Sequence, residues 1–156
     1  MAVSGPSECT EEEARTARRL GELLARRGAV VLCGGRDAGV MAAVAAGARA
    51  AGGLAVGILP GRSRAGASED LAVAVTTGLG EARNSVLVQA ADALVVVGSS
   101  WGTLSELALG MRRGDIPVIA VGGWQLLDED GRPVEGPHRA TSPAEAVDLV
   151  FRLAPR

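Results

Sequence analysis

Two titratable residues, Arg83 and Glu106, frame the stretch of this chain whose residue types and spacing suggest chemistry. Between them lie an apolar run at 93–97 and the turn Gly98, Ser99, Ser100, Trp101, Gly102 and Thr103. A turn from a buried strand into a helix points free backbone N–H groups, hydroxyls and the positive end of the helix dipole toward an incoming anion. An arginine that meets the same edge adds a bidentate donor for phosphate or carboxylate. The expected ligand is therefore a nucleotide or another small phosphate-bearing molecule; without Arg83 the turn would be an unremarkable strand-to-helix connection. Glu106 has two readings. Thr103-Leu104-Ser105-Glu106 spells a capping box, which would tie the carboxylate to backbone N–H groups, and the residue pattern alone favours that. In the other reading the carboxylate faces the cleft, where it would stabilise a cationic sugar transition state or activate water.

The elements that must position these residues follow from periodicity and punctuation. Residues 1–3 form a short first strand and residues 4–7 a turn. Thr10 with Glu13 makes a capping box for a helix ending near Arg27, with Leu20, Leu23 and Leu24 on its apolar face. The run 29–33 is bounded by glycines and wholly apolar, as a strand buried on both faces is. After Gly34 and Gly35, Asp37 is placed to cap a helix over 38–51, and a strand follows at 54–59. Residues 60–70 show no period and predict a mobile loop. A strand at 71–75, a helix over 80–91 carrying Arg83, the strand 93–97, a helix over 103–113 and a buried strand at 117–121 continue the alternation. Residues 122–136 predict a loop or a small hairpin through Asp130-Gly131. An edge strand at 138–141 and a helix started by Ser142 and Pro143 and ending near Leu153 complete the chain.

Short apolar strands alternating with helices predict an α/β fold: a Rossmann-like, doubly wound, mostly parallel sheet with helices on both faces. No repeat or linker interrupts residues 1–156, so a single domain is expected. Ligands bind such sheets outside the carboxyl ends of the strands. That rim collects Ser4 and Gly5, the 34–39 turn with Gly34 and Gly35, Gly61, residues 76–83, the 98–103 turn, and Gly122 with Gly123.

Composition narrows the chemistry. The chain is 47% hydrophobic with one Phe, two Trp and no Tyr, so its core is built from Ala, Val and Leu. All 16 basic residues are Arg, which excludes lysine Schiff-base chemistry and a phosphate-loop lysine. A net charge of −2 provides no general attraction to nucleic acid. Cys9 and Cys33 lack metal-ligand spacing and are expected as reduced thiols, and no metal is expected. His138, alone of its kind and in the tail, supports no catalytic triad. No apolar run approaches the about 20 residues that cross a bilayer, and no leader is visible, so a cytoplasmic protein without membrane contact is expected. Trp101 suits either stacking on a base at the cleft mouth or packing at a helix start.

The stretch resembles the Lonely Guy family of cytokinin-activating phosphoribohydrolases, many of whose members are mislabelled lysine decarboxylases. Their signature sets an arginine nine residues before Asp-Ala, then Pro-Gly-Gly-x-Gly-Thr-x-x-Glu. Here Arg83, Asp92-Ala93 and Gly98-Ser99-Ser100-Trp101-Gly102-Thr103-Leu104-Ser105-Glu106 stand at that spacing. Leu32-Cys33-Gly34-Gly35, Gly39-Val40-Met41 and Gly57-Ile58-Leu59-Pro60 are similar too, so the resemblance covers most of residues 1–121. It implies a Rossmann-like homo-oligomer, often a dimer, that needs no cofactor and hydrolyses the base–ribose bond of a purine nucleoside 5′-monophosphate. Arg83 and Glu106 then match the catalytic pair, and Gly102 and Thr103 match phosphate-loop positions. Pro-Gly-Gly has become Gly98-Ser99-Ser100, however, which looks more like the sister group that includes the molybdenum cofactor carrier proteins. Those hold a molybdopterin-type ligand without cleaving it, so the resemblance implies a nucleotide hydrolase or, alternatively, a carrier or sensor.

Overall fold

The computed structural model describes residues 1–154; the last two residues of the domain expected over 1–156, Pro155 and Arg156, lie outside the described residues. Seven strands make one sheet: β1 (Ala2–Ser4), β2 (Val31–Cys33), β3 (Ala55–Leu59), β4 (Val73–Thr76), β5 (Leu94–Val97), β6 (Val118–Val121) and β7 (His138–Ala140). Their order is β4-β3-β2-β1-β5-β6-β7, and every pairing is parallel. The chain winds outward from β1 to β4, then returns to place β5 on the other side of β1. That reversal leaves a crevice between the carboxyl ends of β1 and β5, where ligands bind in open α/β sheets.

Among the described residues five α-helices cover the sheet: α1 (Glu11–Arg26), α2 (Gly39–Ala50), α3 (Arg83–Gln89), α4 (Trp101–Arg113) and α5 (Pro143–Leu153). Alternation along the strands sends side chains to two cores. Val3, Val95, Val97 and Ile119 pack with Leu20 and Leu24 of α1, Val44 of α2 and Val147 and Val150 of α5. Ala2, Leu94, Val96 and Val118 pack instead against Leu87 and Val88 of α3. Each fully buried Val, Leu or Ile contributes about 1.5–3 kcal/mol relative to an exposed one, so small aliphatic residues suffice to hold both layers.

Several boundaries differ from the sequence expectation for local reasons. The second strand starts at Val31 rather than Ala29, because Ala29 N–H donates to the Leu24 carbonyl and belongs to the end of α1. Leu71 is not in the fourth strand; its side chain packs over Gly57, so its apolar character serves the core. Asp37 does not cap α2. The Ala38 cap position carries no side-chain bond, and Val40 N–H donates to the Pro6 carbonyl, so the preceding β1–α1 loop satisfies this helix start. The helix expected over 80–91 is a 3-10 turn at Gly80–Ala82 followed by α3. Helix α4 starts at Trp101, not Thr103, because the Ser100 side chain accepts from Thr103 N–H. The expected turn at Asp130-Gly131 is present, with Asp128 N–H donating to the Arg132 carbonyl and an antiparallel bridge between Leu127 and Pro133. Among the described residues no helix is long and apolar enough to cross a membrane.

Candidate functional site

The shift of the α4 cap to Ser100 decides the orientation of Glu106. With the helix starting at Trp101, Glu106 lies in its second turn, too far along to serve the cap, and the capping-box reading of residues 103–106 fails. The helix buries Thr103, Glu106 and Gly110. Glu106 is only 6% exposed, and its carboxylate accepts a hydrogen bond from the Ser4 hydroxyl at the end of β1. Its other oxygen stands 3.6 Å from Nη1 of Arg83, an ion-pair distance beyond hydrogen-bonding range.

Arg83 enters from the start of α3, held by the 3-10 turn before it, and is 8% exposed. The guanidinium lies across Gly34: a Cβ there would stand 2.6 Å from Nη1 and 2.8 Å from Nη2, so a larger residue at position 34 would evict the arginine. Among the described residues its Nε and Nη1 have no hydrogen-bond partner. Unpaired buried donors on a cation are costly, about 1–3 kcal/mol or more for each group, and call for an outside acceptor. Next to it Asn84 donates to the Ser105 hydroxyl at 2.7 Å, and Ser105 donates to the Gly102 carbonyl at 2.7 Å, tying α3 to the first turn of α4. The Asn84 side-chain oxygen is buried and without a partner.

These groups face a cavity of about 150 Å³ whose lining includes Gly5, Gly34, Arg83, Gly102, Thr103 and Glu106. The wall also takes in Ser7, Arg36, Met41, Glu81, Asn84 and Ser100. The structure thus brings together Gly5, Gly34, Ser100, Gly102 and Thr103 with Arg83 and Glu106, and Ser4 joins them through its bond to Glu106.

Four residues of the expected set stand elsewhere. Gly98 looks toward Glu13 of α1 across a neighbouring cavity, and a Cβ on it would meet that carboxylate. The Ser99 hydroxyl is turned away and accepts from Trp124 N–H at 2.7 Å. Trp101 is 79% exposed and packs edge-on against Trp124, ring centroids 5.3 Å apart. Gly35 packs against Gly57. Of the two serines that replace Gly-Gly, Ser100 therefore belongs to the cavity and Ser99 to the neighbouring loop.

Burial dominates the protonation of the site. It pushes the Glu106 carboxyl above its ordinary value; the Ser4 hydroxyl and Arg83 oppose the shift, and the Glu81 charge adds to it. Cys33, at the end of β2, is buried and its thiol is pushed up to about 11 by desolvation, which leaves it inert as a nucleophile. A second cavity, of about 220 Å³, lies on the other flank of α4 among Leu104, Leu107, Trp124, Leu126 and Val134. Its one charged group, Arg139, is committed to the Gly122 and Trp124 carbonyls, so the reactive groups are gathered in the smaller cavity.

Ser7, Met41 and Asn84 line the cavity from outside the expected rim, whereas Arg36 and Glu81 fall within its 34–39 and 76–83 segments without having been singled out. Asn84 had a visible signal, a polar residue beside Arg83 in a helix that must bury one face. Met41 is brought in by the way the start of α2 packs on the Pro6–Ser7 loop.

The SLOG cluster4 family model matches residues 1–147. The chain belongs to this family. It is 43% identical over 133 residues to an uncharacterized protein of Archaeoglobus fulgidus, covering 82% of this chain and 87% of the other. It is 32% identical over 119 residues to the cytokinin riboside 5′-monophosphate phosphoribohydrolase of Mycobacterium tuberculosis, covering 72% of this chain and 64% of that enzyme. The chain thus has a homologue of the Lonely Guy type. Among solved structures, the molybdenum cofactor binding protein of Rippkaea orientalis superimposes with a TM-score of 0.87 and 34% identity over 97% of this chain and 94% of its own. The molybdenum cofactor carrier protein of Chlamydomonas reinhardtii gives 0.81 and 30% identity over 97% and 96%. The DNA processing protein A of Streptococcus pneumoniae, at 17% identity and a TM-score of 0.73, shares the fold alone.

Proposed function

We propose that this SLOG cluster4 protein binds a small phosphate-bearing ligand in the Arg83–Glu106 cavity and holds it, as a carrier or sensor of a molecule of the molybdenum-cofactor type. The observation that carries this reading is the buried Arg83, which lines the cavity and whose Nε and Nη1 have no hydrogen-bond partner among the described residues. Phosphate oxygens are acceptors that a buried guanidinium with open N–H groups on two sides can take up. Thr103 and Gly102, in the first turn of α4, add the positive helix end. A cavity of about 150 Å³ receives the phosphate end of the ligand, and the rest extends through the open mouth. Holding rather than cleaving is supported by Glu106, both of whose oxygens are engaged, one by Ser4 and one by Arg83. The similarity to cofactor-binding structures over nearly the whole chain points the same way.

A second reading, hydrolysis of a nucleoside 5′-monophosphate to free base and ribose 5-phosphate, is favoured by one observation. Arg83 and Glu106 face each other across the same cavity at the spacing of the phosphoribohydrolase signature. A phosphate that captured Arg83 would free the Glu106 oxygen now turned to it, leaving a carboxylate to face the anomeric carbon.

One experiment separates the two. The purified protein is incubated with a panel of purine nucleoside monophosphates, free base is measured, and native mass spectrometry records any retained ligand. A retained phosphate-bearing mass with no base release supports the carrier. Base release that disappears in Glu106→Gln, in protein that remains folded, establishes the hydrolase and overturns the carrier. Neither retention nor release, together with no phosphate binding by titration, overturns both.

A further inference from the structure

Arg83 is not the only cation at this crevice. Arg36 lines the same cavity, and it also lines a second one of about 310 Å³ formed with Gly61, Ser63 and Gly66. Its backbone is fixed there. Arg36 forms an antiparallel bridge with Ala67, Asp37 N–H donates to the Gly66 carbonyl at 2.9 Å, and Ser68 N–H donates to the Gly35 carbonyl at 3.0 Å. The far side of the 60–66 loop is tied down as well, since Gly78 N–H donates to Gly61 at 2.9 Å and Gly80 N–H to Pro60 at 3.0 Å. Arg62 lies across Gly78, its Cγ 3.1 Å from where a Cβ would stand.

Charge is distributed unevenly over these two cavities. The first sets Arg83 and Arg36 against Glu81 and Glu106 and is close to balanced. Among the described residues no carboxylate lines the second, and Arg36 is its one charged lining residue. Among the described residues none of Arg36, Arg62 and Arg64 makes an ion pair, whereas Arg49, on the same half of the sheet, is paired with Asp70 at 3.0 Å. Other unpaired arginines, Arg18, Arg26, Arg112 and Arg152, are spread along the faces of α1, α4 and α5 and converge on no cavity. A single phosphate on Arg83 leaves Arg36, which lines both cavities, without an acidic partner.

We infer that the ligand carries two linked phosphates, with Arg83 holding one and Arg36 the other, so that the protein selects diphosphate-bearing molecules such as nucleoside diphosphates or dinucleotides over monophosphates. The inference rests on the anion-binding reading of the Arg83 cavity and deepens it. One guanidinium shared between two adjoining cavities suits a pyrophosphate, whose second phosphorus lies one bridging oxygen from the first.

The test uses inorganic phosphate, pyrophosphate, AMP and ADP as probes, titrated at fixed ionic strength into the wild type, Arg36→Gln, Arg83→Gln and Arg112→Gln, each checked for folding by circular dichroism. Pyrophosphate and ADP are expected to bind the wild type about tenfold or more tighter than phosphate and AMP, as a further charge-assisted contact provides. Arg36→Gln is expected to erase that preference and leave phosphate binding within about twofold, while Arg83→Gln weakens all four probes and Arg112→Gln none. Equal affinities in the wild type, or a preference that survives Arg36→Gln or falls in Arg112→Gln, overturn the two-phosphate inference with the anion site intact. No binding of any probe to the folded wild type overturns the anion site as well.

Discussion

At a single residue, Glu106, burial competes with two polar partners, and the direction of the outcome is testable. Desolvation raises its carboxyl above the ordinary carboxylate value of about 4.3, against the Ser4 hydroxyl and the Arg83 charge, which lower it. A folded-state value above the unfolded one means that the folded protein binds the extra proton. The corresponding stability is present below the ordinary value and is lost as pH rises through the raised one. Melting temperatures of the ligand-free protein should therefore fall over that window, and Glu106→Gln, which has no proton to lose, should lack that component. Ser4→Ala removes a bond that favours the charged form, so the loss should move to higher pH. Parallel melting profiles for the wild type and Glu106→Gln would contradict the assignment. The sequence carried Arg83 and Glu106 at readable spacing but not the direction of the carboxylate. The residue pattern pointed to a cap at Thr103, and the helix start at Trp101 shows that Ser100 is used instead, which frees Glu106 for the cavity.

At the scale of elements, α1 and α2 meet so closely that glycine is required where they cross. A Cβ on Gly47 would stand 2.0 Å from the Arg18 carbonyl oxygen, and one on Gly21 would stand 2.2 Å from that of Val44. Two effects oppose each other in Gly47→Ala. Alanine gains up to about 1 kcal/mol in helix propensity, while overpacking against backbone, which cannot rotate away, costs about 1–3 kcal/mol. At 2.0 Å the upper figure applies, so a net loss of about 2 kcal/mol is expected, read as a lower denaturation midpoint at unchanged slope. Unchanged or increased stability would show that the helices part freely. The mutation should also weaken anion binding, because α2 begins immediately after the Gly34–Arg36 turn that cradles Arg83 and contributes Met41 to the cavity. Helix and strand types were readable from periodicity because apolar faces repeat. Gly21 and Gly47 were not, since sequence marks them only as weak helix formers and their reason lies in the partner helix. The same holds for α2, whose start is completed by Pro6 rather than by its own Asp37.

For the molecule as a whole, the decisive feature is where the sheet reverses direction. Ser4 ends β1 and Gly5 follows it, Gly34 and Arg36 follow β2, Arg83 follows β4, and Ser100 to Glu106 follow β5, so the cavity takes residues from both sides of the reversal. A ligand seated there contacts both halves of the sheet and should stabilise the chain as one unit rather than one loop of it. For a ligand that binds only the folded state, the gain depends on concentration relative to the dissociation constant and is about 2.7 kcal/mol at one hundred times that constant. In a chain of 156 residues, each kcal/mol moves the melting temperature by about 2–4 °C, so a rise of about 5–11 °C is expected. Phosphate and pyrophosphate, each supplied at one hundred times its own measured constant, should give the same rise despite their different affinities. A single cooperative transition should shift intact by both near- and far-ultraviolet circular dichroism. Arg83→Gln should show a smaller shift at those same concentrations. If the ligand instead split the melt into two transitions, with only one of them moving, the halves on either side of β1 and β5 would unfold separately. The cavity would then belong to one half alone.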